Sequence, residues 1–263
     1  MPLSRFPHDK QADALIRAYK LAGRDLTALI KQLTDGKTPT VTVIATAQLT
    51  LSRLGAATDT ETRQLISDAV KEADARAKKL LPKRAPLKNS DLPVVQNDAA
   101  TKLANDLLDG LTAAREGSLN DVRQIAHTIT RREAALSLLG EPGRGSRLAV
   151  TDNLIKALKD KKITGFVDKA GRNWKIENYA EMLTRTITRQ AVTEGAITRY
   201  AAHGVELIQV SSHATSCPIC GPMQGKIMRI DGSTEPVDGV SVDALQLPPF
   251  HPNCRHVILP YIP

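Results

Sequence analysis

At 263 residues, with 41% hydrophobic residues and a net charge of +8, the chain is long enough for one large or two small globular domains. No apolar run reaches membrane-spanning length and no signal-peptide stretch opens the chain, so the expectation is a soluble protein, with no membrane partner, made in a reducing cytoplasm. Aromatics are only 3%, so alanine and leucine must build the core, and much of the chain should be helical.

From Asp9, a plausible N-cap, apolar residues recur at Ala12, Leu15, Ile16, Tyr19, Leu26, Leu29, Ile30 and Leu33. The spacing predicts a helix that stops near Gly36. Thr40 to Leu54 is β-branched and ambiguous, although Leu49, Leu51 and Leu54 suit a helix. A third stripe, Leu65 to Leu80, ends at Pro82, and Pro82 to Pro93 reads as a linker. Two further helices are expected, one with Leu103, Leu107, Leu108 and Leu111, the next with Val122 to Leu136 capped by Ser118. Gly140 to Ser146 is a cluster of breakers, followed by a short helix with Leu154, Ile155 and Leu158.

The character changes after Lys162. Ile163 to Trp174 predicts a hairpin turning at Lys169 to Gly171. A long helix from near Glu177 should bury Tyr179, Met182, Leu183, Ile187, Ala191, Ile197, Tyr200 and Ala201, and end at Gly204. Strands are expected at Val205–Val210 and Lys226–Ile230, with a final edge strand within His256–Ile262. The fold class is therefore α+β: a helical region over 1–162, then a small α+β domain over 163–263 pinned by a metal.

The positive charge gathers in two windows, Lys71 to Lys88 and Lys156 to Lys175. Lys78, Lys79, Lys83, Arg84, Lys161 and Lys162 are the candidate contacts for an acidic partner such as nucleic acid or an acidic protein face. A solvated face is the competing reading, because few aromatics interleave the charges to stack bases.

All three cysteines lie from position 217 onward. Cys217-Pro-Ile-Cys220 is a knuckle that sets two thiolates one metal diameter apart, and His251-Pro-Asn-Cys254-Arg-His256 offers further soft ligands. These are more than four-coordinate zinc needs. The assigned set is Cys217, Cys220, His251 and Cys254, because His251 and Cys254 repeat the two-residue gap of the knuckle. His256 and His213 stand in reserve. A closed structural zinc (Zn2+) fits the surplus better than an open catalytic one. A disulfide or a thioredoxin-like redox pair is the alternative, but Gly221-Pro-Met after the knuckle opens no helix. A zinc-stapled nuclease would draw on His251 and His256, yet its nearest carboxylate is Asp243. A deaminase would need His-x-Glu upstream, which is missing.

Several ordered blocks then carry a family resemblance. They are Gly171-Arg-Asn-Trp174, Tyr179-Ala-Glu-Met182, Arg185-Thr186, Val210-Ser-Ser-His213, Cys217-Pro-Ile-Cys220, Gln224-Gly-Lys226, Pro248 to His256 and Pro260-Tyr-Ile262. Over roughly the last hundred residues, about one small domain, the chain resembles the phage minor capsid proteins, related to the Mu-type head morphogenesis proteins. The resemblance implies a non-enzymatic virion component, assembled in the host cytoplasm and associated with the portal vertex, with portal and capsid proteins as partners. It implies no toxin cargo, since the chain closes directly after the module.

Overall fold

The computed structural model describes residues 7–34, 38–82, 92–138, 165–168, 170–214 and 217–263. Its elements are α1 (Pro7–Thr34), α2 (Thr40–Leu80), α3 (Leu92–Leu138), β1 (Gly165–Val167), β2 (Asn173–Lys175), α4 (Ile176–Ala202), β3 (Leu207–Val210), β4 (Ile227–Arg229) and β5 (Ile258–Tyr261). Helix dominates the N-terminal part, and helix plus a small antiparallel sheet the C-terminal part, as expected. The breaker cluster at Gly140–Ser146 and the short helix around Leu154 lie outside the described residues.

Two boundaries read from the sequence are corrected. The ambiguous Thr40–Leu54 stretch and the stripe after it form one 41-residue helix. Its β-branched start is tolerated because Pro39 O receives the N–H groups of Thr42 and Val43 at 3.0 and 3.2 Å, and the Thr46 hydroxyl donates back to Thr42 O at 2.8 Å. The two helices predicted around Ser118 are likewise a single 47-residue helix. Ser118 is no cap: it is buried within the stripe Leu107, Leu111, Ala114, Val122, Ile125 and Ile129. Packing along that face outweighs the local cap signal.

The chain forms two compact units, one of Met1–Ala12, Glu61–Leu108 and Met182–Pro263, the other of Asp13–Thr60 and Asp109–Glu181. In the second unit the core is aliphatic, with Leu15, Ile16, Leu26, Val43, Ala47, Leu51, Leu111, Ala114 and Ile125 all buried. Tyr19 is fully buried, and its hydroxyl accepts from Arg115 Nη1 at 2.8 Å. The same guanidinium pairs with Asp59 at 3.0 Å. Burial raises the Tyr19 pKa, and Arg115 pulls against that rise.

The predicted hairpin is present, with Phe166 opposite Trp174. Gly171 adopts φ 75° at its turn, a conformation that favours glycine. Asp168 organises the tip: one carboxylate oxygen accepts the backbone N–H groups of Ala170 and Arg172, each at 2.9 Å. The other accepts Arg172 Nε at 2.8 Å and Trp174 Nε1 at 2.9 Å. Burial would raise its pKa, but these donors win and hold it at about 2.

Asp121 on α3 shows the opposite balance, since burial pushes its pKa up to about 6. A folded-state value above the unfolded one means that stability is present at low pH and is lost as pH rises through about 6. Asp121→Asn should therefore match the parent near pH ~4 and exceed it at pH ~7.5 by about 1 kcal/mol, discounted for partial solvent screening. Urea denaturation at the two pH values measures this, and an equal effect at both would refute it.

In the first unit, β3 is the centre of a three-stranded antiparallel sheet, flanked by β4 and β5. Ile208 faces Met228 on one side and Pro260 on the other. β5 is an edge, as expected of a strand containing proline. One core joins Ala77 and Leu81 of the α2 end to Ala196, Tyr200, Ile208, Val210, Met228 and Ile258. Asp74 and Arg199 lock helix to helix through two hydrogen bonds of 2.6 and 2.7 Å, and Gln96 donates to Asp74 at 2.6 Å.

Helix α4 ends in a Schellman motif: Val205 N–H bonds Tyr200 O at 3.0 Å and Gly204 N–H bonds Ala201 O at 2.9 Å, with Gly204 at φ 71°. Its buried face is shifted from the predicted one. Ile187, Ala191 and Tyr200 are buried, but Ala201 is exposed and Thr184, Thr188 and Thr193 lie inside.

Candidate metal centre

Strand pairing brings the soft ligands to one end of the sheet. Beyond β3, Ser211 N–H donates to Val257 O at 2.9 Å, and Val257 N–H returns to the Ser211 hydroxyl at 3.1 Å. His213 and His256 therefore meet, with ring centroids 4.1 Å apart. The knuckle lies between β3 and β4 and is closed by Gly221 N–H to Cys217 O at 2.9 Å, then by a 3-10 turn at Gly221–Met223. Gln224 Oε1 accepts His213 N–H at 2.7 Å, tying the knuckle back to the strand end. Opposite, Cys254 N–H bonds His251 O at 3.1 Å across a turn in which Asn253 takes φ 65°, a left-handed conformation that asparagine tolerates.

The donors fall into two triads that share Cys220: Cys217, Cys220 and His251, and Cys220, Cys254 and His256. Within each triad all donor atoms lie within 4.8 Å of one another. Cys217 Sγ is 3.4 Å from His251 Nε2, and Cys254 Sγ is 3.6 Å from His256 Nδ1. Sulfur and nitrogen on one tetrahedral zinc, at their usual bond lengths, sit about 3.5 Å apart. His251 Nδ1 lies 2.7 Å from Pro252 O, so a proton there donates to the carbonyl and leaves Nε2 as the free lone pair.

The two knuckle thiols are pushed in opposite directions. Backbone N–H groups of Cys220 and Ile219 lower the Cys217 pKa and favour its thiolate. Burial and the neighbouring Cys217 push Cys220 up to about 11, so a bound cation must displace its proton. Burial, then His213 and His251, lower the His256 pKa and favour its neutral form. Three sulfurs and two imidazoles with no carboxylate in either triad form a donor set suited to zinc. None of the three cysteines is in a disulfide.

Placement of the other candidates is mixed. His213 joins neither triad, and its buried Nδ1 has no hydrogen-bond partner. Asp243, the carboxylate nearest the histidines in sequence, lies 3.4 Å from Lys226 Nζ. Lys78 and Lys79 are exposed in the last turn of α2, where cations also suit the helix dipole. Lys83, Arg84, Lys161 and Lys162 lie outside the described residues. Sequence reasoning missed the Asp74–Arg199 lock, because partners so far apart on different elements leave no spacing to read; it also missed the Asp168 tip, although Ala170, Arg172 and Trp174 all lie close by in sequence.

The family model for phage minor capsid protein 2 matches residues 41–263. The chain belongs to this family. Membership extends well N-terminal of the last hundred residues that carry the resemblance in the sequence, and takes in α2 and α3. A protein of Lactococcus phage LL-H described as "Structural protein" is 26% identical over 236 residues, covering 76% of this chain and 62% of that relative. The chain thus spans less than two thirds of the length of the curated relative that it matches. No solved structure matches it significantly. No helix among the described residues is long and apolar enough to cross a membrane.

Proposed function

We propose that the chain is a non-enzymatic structural component of the phage virion that sits at the portal vertex and contacts portal and capsid proteins. In this reading the segment 163–263, pinned by a structural zinc, is the docking element. The observation that carries the metal half is the pair of sulfur–nitrogen separations, 3.4 and 3.6 Å, at the edge length of a tetrahedral zinc site. Cys217, Cys220, Cys254 and His251 would hold the ion, and family membership supports the structural role.

The ion would cross-link the loop after β3 to the loop before β5, which short strands alone hold weakly. The strands run only 3 or 4 residues, and a bound structural metal contributes its binding energy to folding. The chain would act during head assembly in the host cytoplasm. Contact with packaged DNA, in this reading, falls to the exposed Lys78 and Lys79. A nuclease is disfavoured because neither triad includes a carboxylate to hold a hard catalytic cation.

Imaging labelled particles tests the placement. Signal confined to one vertex is expected, and signal spread over all vertices would remove the portal assignment. Elemental analysis of protein purified without chelator should give about one zinc per chain, and metal-free protein would sink the zinc.

A further inference from the structure

We infer that the centre has an exchangeable fourth ligand: His251 completes the three thiolates, and His256 replaces it when His251 leaves. The inference rests on the metal reading above. Each histidine already stands at zinc-edge distance from its own cysteine, 3.4 Å for Cys217–His251 and 3.6 Å for Cys254–His256, and both triads share Cys220. A single tetrahedral ion that drew in all three thiolates would have one vertex left, and the two rings would compete for it.

Their surroundings rank them. His251 Nδ1 has the Pro252 carbonyl at 2.7 Å, so ligation through Nε2 leaves no polar group unsatisfied. His256 would ligate through Nδ1, and its Nε2 is buried with no hydrogen-bond partner. An orphaned buried N–H is costly, which makes His256 the second choice. The two also differ in anchorage. His256 is 2% exposed and is followed by Val257, which Ser211 clamps through two hydrogen bonds. His251 lies half-buried in the turn that starts the Cys254 loop. Exchange would thus release the His251–Asn253 turn while Cys254 and His256 stay on the sheet, giving a movable loop on a retained metal.

Cobalt(II) loaded into the full chain gives the test, read by its tetrahedral visible bands and by competition with a chelator. Wild type should bind about one ion with a tetrahedral spectrum. His251→Ala should keep that spectrum and stoichiometry with affinity about 10- to 100-fold lower, and His256→Ala should lose less than about tenfold. The double variant should lose more than about a thousandfold, with the tetrahedral spectrum gone. If His256→Ala disturbs the far-UV circular dichroism, His256→Gln takes its place. His251→Ala as weak as the double variant would overturn the exchange, as would two ions per wild-type chain bridged by Cys220. Wild type that takes up no metal would defeat the zinc reading itself, and the exchange with it.

Discussion

If the proposed zinc is bound, removing it should unfold the sheet end of its unit while most of the helix survives. The sheet is small, and the loops that close it, from Ser211 to Lys226 and from Leu247 to Val257, converge on the Cys/His cluster. Loss of the ion would leave three thiols and two imidazoles crowded together, with Cys220 and Cys254 buried. Structural zinc is worth about 10–16 kcal/mol in zinc-finger peptides. With part of the core already supplied by Ala77, Leu81, Ala196 and Tyr200, the loss here should be on the order of 5 kcal/mol. A strong chelator should therefore lower the melting point and open the β3 and β5 amides to hydrogen exchange, with far-UV helix signal largely kept. Acid should act in the same direction, because protons compete for the thiolates as pH falls. Unchanged amide protection on chelation would show that the ion holds nothing in place.

Gly195→Ala is the second large effect. Added at Gly195, a Cβ would collide with the carbonyl oxygen of Val70 and come within 3.0 Å of the Ala73 Cβ. The obstacle is the backbone of α2, which cannot rotate away as a side chain would. Alanine brings up to about 1 kcal/mol of helix propensity over glycine, while overpacking a close helix contact costs typically 1–3 kcal/mol and occasionally more. With backbone as the obstacle, the clash should win by about 2 kcal/mol net, or roughly 4–8 °C of melting temperature in a protein of this size. A melting point equal to or above that of the parent would mean that α2 and α4 do not approach closely at this glycine.

Where the hydrophobic period or the turn chemistry was clear, the sequence was enough, although Asp9 lies within the first turn of α1 rather than capping it. The α1 stripe, the hairpin around Gly171, the Gly204 stop and the edge strand with Pro260 were all legible from local chemistry. Ser118 misled because a cap residue also fits a buried stripe position, and only the packing of Leu107 to Ile129 reveals which role it has. Thr40–Leu54 stayed ambiguous because its β-branched residues are penalised in isolated helices, whereas here Pro39 O and threonine back-bonding satisfy the first turns. The soft ligands were legible as a cluster. Their pairing was not, since Cys217 with His251 and Cys254 with His256 depends on the β3–β5 register that joins Ser211 to Val257. The Gly195 contact left no trace either, because a glycine within a helical pattern does not show what approaches it.

Particle incorporation of a Cys217→Ser, Cys220→Ser double variant tests the central claim most directly. The variant would be co-produced with the portal and major capsid proteins, and particles would be purified and probed for the chain, with circular dichroism to confirm that its helices form. If the metal-pinned segment is the docking element, the helical variant should be absent from particles that incorporate the parent. Incorporation at the parent's level would contradict the account and move docking away from the metal-pinned segment.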